Sequence, residues 1–188
     1  MMNFSKFYSV ILIFVVGIIS AQKSHDFLIK KLNKAESVYL ISYNLDLKKP
    51  PIPVPKLIGD TTKIKKEKNF IFALEYYKKP FELLDISNQK LLLKLPEIKS
   101  LKNALNFSTN EMAGITSKSG CYYPRNAILL LNKNQKITDI FEICFECHRL
   151  YQISSRSKMK DLDIRDDTFA SLESYFNSKG IKTTFNKE

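Results

Sequence analysis

The stretch "CYYPRNAILLLNKNQKITDIFEICFECH", residues 121–148, constrains the fold more than any other part of the chain. Residues 127–131 form an aliphatic run of strand length, and residues 137–145 alternate with period two. The polar "NKNQK" between them is turn chemistry, so the unit reads as an antiparallel hairpin spanning about 125–145. Alternation sends Ile137, Phe141, Ile143 and Phe145 to one face. It sends Thr138, Glu142, Cys144 and Glu146 to the other, with Ile140 among them, so one face is expected to be core and the other more polar.

A turn centred on Asn134 and Gln135 sets Arg125 opposite Cys144, Ala127 opposite Glu142 and Cys121 opposite His148. Opposed residues share a face. The polar face is therefore expected to gather Cys121, Tyr123, Arg125, Glu142, Cys144, Glu146 and His148. A slip of one residue puts Cys121 opposite Cys147 instead.

The rest of the chain reads as one α+β domain. "SHDFLIKKLNKAE" has an apolar helical stripe with Ser24 and Asp26 at its start, and "SVYLISYNL" reads as a strand. The prolines between Pro50 and Pro55 make a stiff connector. "NFIFALEYY" reads as a strand, with helix as its rival. Asp85 or Ser87 is expected to cap a short helix that Pro96 terminates, with a further helical turn around residues 101–105 and a polar loop at 108–120. "SSRSKMK" reads as a polar loop. Asp166, Asp167 and Thr168 start a helix at about 167–179, whose Phe169, Leu172 and Phe176 share a face and whose end is set by Gly180. "IKTTF" is a candidate edge strand. A small antiparallel sheet with the hairpin at its centre, packed against this last helix, is the expected architecture.

The first 21 residues have the layout of a secretory signal peptide. Lys6 precedes an apolar core from Val10 to Ile19, and the small residues Ser20 and Ala21 offer a cleavage point before Gln22. That core is about half the roughly 20 residues a membrane span needs. The expected mature domain, 22–188, is therefore exported to the periplasm or beyond, without a transmembrane anchor and in a compartment where disulfides persist. The formal charge of +11 suits weak affinity for anionic envelope surfaces. The lysines are dispersed, with no arginine-rich arm and no basic face interleaved with aromatics, which argues against nucleic acid.

The three cysteines carry the chemistry that the sequence offers. A disulfide between Cys121 and either Cys144 or Cys147 fits an exported chain and leaves one thiol over. Cys121, Cys144, Cys147 and His148 are also a complete ligand set for zinc or copper, although His148 follows Cys147 directly and adjacent strand residues point apart. Cys144 to His148 satisfies the C-x-x-C-H pattern of haem attachment, with His25, Met112 or Met159 as distal ligand. The β-branched and aromatic run before it argues against haem, because such motifs open helices. Thiol-redox work needs the first cysteine at a helix N-terminus; here Cys144 closes a strand and Glu146 opposes its thiolate. No orienting partner or oxyanion hole accompanies a Cys121–His148 nucleophile pair. Arg125, Glu142 and Glu146 suit a substrate-binding or acid–base site, but such groups are more often cross-strand ion pairs on a partly solvated face. The leading expectation is a non-enzymatic domain held by a cysteine cluster, with no cofactor, and the rival is a metal-binding or thiol-redox protein using the same cysteines.

The stretch from Cys121 to Phe185 resembles an uncharacterised family of small exported bacterial proteins. In that family a Cys, an aromatic and a Pro followed by Arg or His precede one strand, and a second strand ends in Cys-x-x-Cys. Cys121, Pro124, Arg125, Cys144 and Cys147 match the pattern. The residue after the second cysteine is often not His in that family, which implies that His148 is incidental. The resemblance implies no activity.

Overall fold

The computed structural model describes residues 27–47, 70–106, 123–155 and 158–184. The signal-like segment, Ser24 and Asp26, the proline connector, the polar loop at 108–120, Cys121 and Phe185 lie outside the described residues. The described chain is an α+β fold. A six-stranded antiparallel sheet comprises β1 (Ser37–Ser42), β2 (Gln89–Leu92), β3 (Asn126–Leu131), β4 (Ile137–Cys144), β5 (Arg149–Ser155) and β6 (Lys158–Leu162), in the spatial order β2-β1-β3-β4-β5-β6. The helices are α1 (27–32), α2 (Pro80–Ile86), α3 (Leu95–Leu105) and α4 (Asp166–Ser178), with a 3-10 turn at Ala73–Tyr76.

The hairpin register is the expected one. Ala127 faces Glu142, Ile128 faces Phe141 and Leu130 faces Asp139. Near the turn the register shifts, and Leu131 faces Ile137. The extra residue, Thr138, donates its hydroxyl to the Leu130 carbonyl, as an unpaired bulge residue can. This bulge turns Ile137 away from Phe141 and into the apolar cluster with Leu129, Leu131 and Ile140. Strict alternation had placed it on the other face.

Both faces of the hairpin are covered, which corrects the expectation of one polar, partly solvated face. On one face Val38, Leu40, Ile128, Leu130, Phe141 and Ile143 pack against Leu28, Leu32, Leu101, Leu105, Phe169, Leu172 and Phe176 of the helices α1, α3 and α4. On the other, Ile41, Ala127, Leu129 and Ile140 pack beneath Ala73, Leu83 and Leu84. Every residue of β3 is buried, so its unbroken "AILLL" is the pattern of a strand covered on both sides.

The second layer departs from local propensity at Ala73–Tyr76 and at Pro96. "NFIFALEYY" is not a strand: Ala73–Tyr76 is a 3-10 turn. Asp85 lies in the last turn of α2 rather than opening a helix, and the Ser87 hydroxyl closes that turn on the Leu84 carbonyl. "QKLL" then pairs with β1. Pro96 starts α3 instead of ending a helix, because a first-turn residue has no intrahelical partner for its amide anyway. The Glu97 carboxylate accepts the Lys94 amide at 2.8 Å and the Lys179 ammonium at 2.9 Å, and these contacts hold its pKa below the ordinary value.

α4 matches its expected span, and its end is fully capped. Gly180 sits at φ +73°, its amide donates to the Asn177 carbonyl and the Ile181 amide to the Phe176 carbonyl, a Schellman motif with Ile181 buried beside Phe176. Residues 181–184 do not form an edge strand. They lie against the sheet through side chains: the Asn126 amide donates to the Lys182 carbonyl and the Lys182 amide to Gln89. "SSRSKMK" is also more than a loop, since its last residues begin β6.

Candidate functional site

The C-x-x-C-H motif is a hairpin turn. β4 ends at Cys144, β5 begins at Arg149, and these two residues face each other. The Cys147 amide reaches the Cys144 carbonyl at 3.3 Å, and His148 takes a left-handed φ of 48°, a region in which His is enriched among non-glycine residues. β5 is a strand beyond the expected hairpin, and it pairs with β4 from Cys144–Arg149 to Ile140–Ile153. Cys144 and Cys147 pack with Tyr151, against Phe72, Tyr123 and Met159. His148 goes elsewhere: its Nδ1 lies 2.7 Å from the Asp166 carboxylate, and its ring stacks on Phe169 at 5.3 Å between centroids. His148 thus joins the start of α4; Cys121, the cross-strand partner expected for it, lies outside the described residues.

Behind the turn lies a buried polar cluster. Glu142 is 1% exposed and Arg125 2% exposed. The Glu142 Oε1 accepts the Tyr43 hydroxyl at 2.7 Å and the Ala73 amide at 2.8 Å. The Arg125 guanidinium donates from Nη1 to the Asn44 carbonyl and from Nη2 to the Leu47 carbonyl at 3.3 Å, and its Nε lies 3.5 Å from Glu146 Oε1. Asn44 takes a left-handed φ of 58°. Its side chain holds Ile71 by amide and carbonyl, both at 2.9 Å, and donates to the Pro124 carbonyl at 3.1 Å. The strand ends therefore bind the segments 43–47 and 70–73 through side chains where the sheet ladder stops, as buried backbone groups require partners.

The sequence placed Arg125, Glu142, Cys144 and Glu146 together, and they are together. Tyr123 contributes its backbone, its amide lying 3.4 Å from the Cys144 sulfur. Tyr43, Asn44 and Ala73 were not anticipated. An Asn at the end of a strand run is a signal for left-handed geometry, but nothing local marks the Ala73 amide.

Burial dominates the electrostatics of two groups in the cluster. Burial pushes the Cys144 thiol up to about 11, against the lowering effect of the Tyr123 and Cys147 amides; Glu146 adds to the rise and Arg125 opposes it. Burial, then the Glu142 charge and hydrogen bond, hold the Tyr43 hydroxyl well above its ordinary pKa. A thiol raised in this way is almost wholly protonated, and so a poor nucleophile, at neutral pH. Among the described residues no group of three or more His, Cys, Asp or Glu side chains is arranged to hold a metal ion. No described helix is long and apolar enough to cross a membrane.

No family model, curated protein or solved structure matches this chain.

Proposed function

We propose that the protein is a non-enzymatic exported domain in which the cysteine-bearing turn and the buried polar cluster are structural. The observation that carries this reading is the occupancy of the reactive groups. Glu142, the buried acid–base candidate, already accepts the Tyr43 hydroxyl and the Ala73 amide, and the permanently charged Arg125 is buried against the chain's own carbonyls. A substrate would have to displace these bonds before it met either group. Export rests on the signal-like layout of the first 21 residues.

In this reading Cys121 is joined to Cys147, and Cys144 is the odd thiol. What supports the pairing is that Cys144 is the described cysteine with a free thiol, in a chain with three cysteines. Thiol titration of unfolded protein purified from the periplasm, with and without reductant and paired with metal analysis, tests it. One thiol without reductant, three with it and no metal is the expected result. Three thiols without reductant and a stoichiometric zinc or copper ion would establish a metal site instead.

A further inference from the structure

The segment that follows α4 is held by a row of polar side chains rather than by a strand ladder. Ser42 is the cross-strand partner of both Gln89 and Asn126, so the three side chains line up across β2, β1 and β3. Ser42 alternates with Val38 and Leu40, which puts the row on the sheet face that carries α4. The Gln89 side-chain amide grips the segment twice. Its Nε2 donates to the Gly180 carbonyl at 3.1 Å, and its Oε1 accepts the Lys182 amide at 2.7 Å. The Ser42 hydroxyl donates to the same Oε1 at 3.1 Å and fixes its orientation. One strand beyond Ser42, Asn126 Nδ2 donates to the Lys182 carbonyl at 2.9 Å. On the segment these bonds all fall on backbone atoms, so they hold an extended chain without reading its side chains. The inward side chains are read separately: Ile181 packs beside Phe176, and the Thr183 hydroxyl meets Glu173 at 2.9 Å.

The resident segment uses this track incompletely. Gln89 engages a carbonyl and the amide two residues further on. Asn126 engages the next carbonyl of the series, at Lys182, and the same relation would bring the Thr184 amide to its Oδ1. The chain bends at Thr184 instead. Among the described residues, Asn126 Oδ1 is buried and has no hydrogen-bond partner. An empty buried acceptor is costly, and a chain that stays extended past this point would fill it. We propose that Gln89, Ser42 and Asn126 form a binding track for an extended segment of another protein, and that residues 180–184 occupy it as a displaceable strap. The segment would carry a branched apolar residue beside Phe176 and a small hydroxyl residue two positions later. A second copy of this chain is a poor donor of it, because the copy has the same bend and the same formal charge of +11. Release of the strap breaks no strand ladder and turns on Gly180, at φ +73°. The cysteines take no part in it.

The probe is a fluorescein-labelled peptide that repeats residues 180–183 and continues with valines, whose β-branching favours extended backbone. Thr183→Glu in the full-length protein sets a second carboxylate against Glu173 and so expels the strap while leaving the track intact. Fluorescence anisotropy is expected to show this variant binding the peptide at least about tenfold more tightly than the wild type, whose tethered strap competes at an effective concentration in the millimolar range. Adding Gln89→Ala, or replacing the peptide's lysine by proline, which has no amide hydrogen, is expected to weaken binding about tenfold. Millimolar peptide should also speed hydrogen exchange at the Lys182 amide of the wild type, a readout that does not depend on the Thr183→Glu chain folding. The proposal is overturned by absent binding to folded Thr183→Glu protein, by equal affinity for the two chains, by indifference to Gln89→Ala or to the proline, or by unchanged exchange at Lys182.

Discussion

Arg125→Ala is expected to lower unfolding stability by about 3–4 kcal/mol, seen as a fall in melting temperature of roughly 10 °C. The guanidinium is buried and holds the Asn44 and Leu47 carbonyls together, beside the Glu146 carboxylate. Alanine removes the charged donor from the buried Asn44 carbonyl, which keeps only the Leu47 amide at 3.4 Å, and from the part-buried Leu47 carbonyl, and each lost bond to a charged group costs about 1.5–3 kcal/mol. It also leaves a cavity where the side chain lay. Arg125→Lys is expected to recover less than half of the loss, because a single ammonium cannot reproduce the planar fork that spans two carbonyls. Removing the exposed Lys79–Glu82 pair should change stability by less than about 1 kcal/mol. Thermal and urea unfolding of the variants give these numbers. An Arg125→Ala protein that melts within about 2 °C of the wild type would show that the guanidinium is not a structural tie.

Glu142→Leu is expected to cost about 3 kcal/mol, because it removes the acceptor shared by the Tyr43 hydroxyl and the Ala73 amide. The effect has a local signature. The Ala73 amide should lose its protection from hydrogen exchange, since the 3-10 turn is bound to β4 through this carboxylate. Glu142→Gln keeps one oxygen and should cost about 1 kcal/mol. Pairing it with Tyr43→Phe in a double-mutant cycle should give a coupling of about 1 kcal/mol. Full protection at Ala73 in the Glu142→Leu variant would contradict the assignment.

The two variants share a logic that explains what the sequence disclosed. The hairpin was legible because its information is local: the polar turn and the alternation around it fix five cross-strand pairs from Asn126–Ile143 to Leu130–Asp139. The helix α4 was legible for the same reason, having acidic residues at its start, one apolar face and a glycine stop. The bulge at Thr138 was not: it falls on the turn side of the Leu130–Asp139 pair, and no residue type there marks it. Asp139 is buried and accepts from Gln152 at 2.7 Å and from Lys31 at 3.2 Å, and neither partner is near it in sequence.

The layer over the second sheet face was illegible for a stronger reason. "NFIFALEYY" has strand-forming residues, and its 3-10 turn is held by a carboxylate 69 positions away. Propensity yields to such contacts. Pro96 was read as a stop when it is a start, because proline breaks a helix interior but fits its first turn. The hairpin register sets His148 opposite Cys121, whereas a left-handed turn brings its ring to Asp166. As for the site, the hairpin arithmetic found Arg125, Glu142 and Cys144, while their partners Tyr43, Asn44 and Ala73 come from segments that the fold alone brings near.

A structural role for the C-x-x-C turn requires the Cys144 thiol to be unreactive in the folded protein. Its alkylation by iodoacetamide, followed by mass spectrometry across pH without reductant, measures this directly. A thiol with a pKa of about 11 is protonated to about 99.9% at pH 8, and this one is also buried. Native protein at pH 8 should therefore show no modification of Cys144 over hours, and full modification within minutes once unfolded. Rapid alkylation of Cys144 in the folded protein, with a midpoint below about pH 8.5, would contradict the structural reading and return the C-x-x-C turn to thiol chemistry.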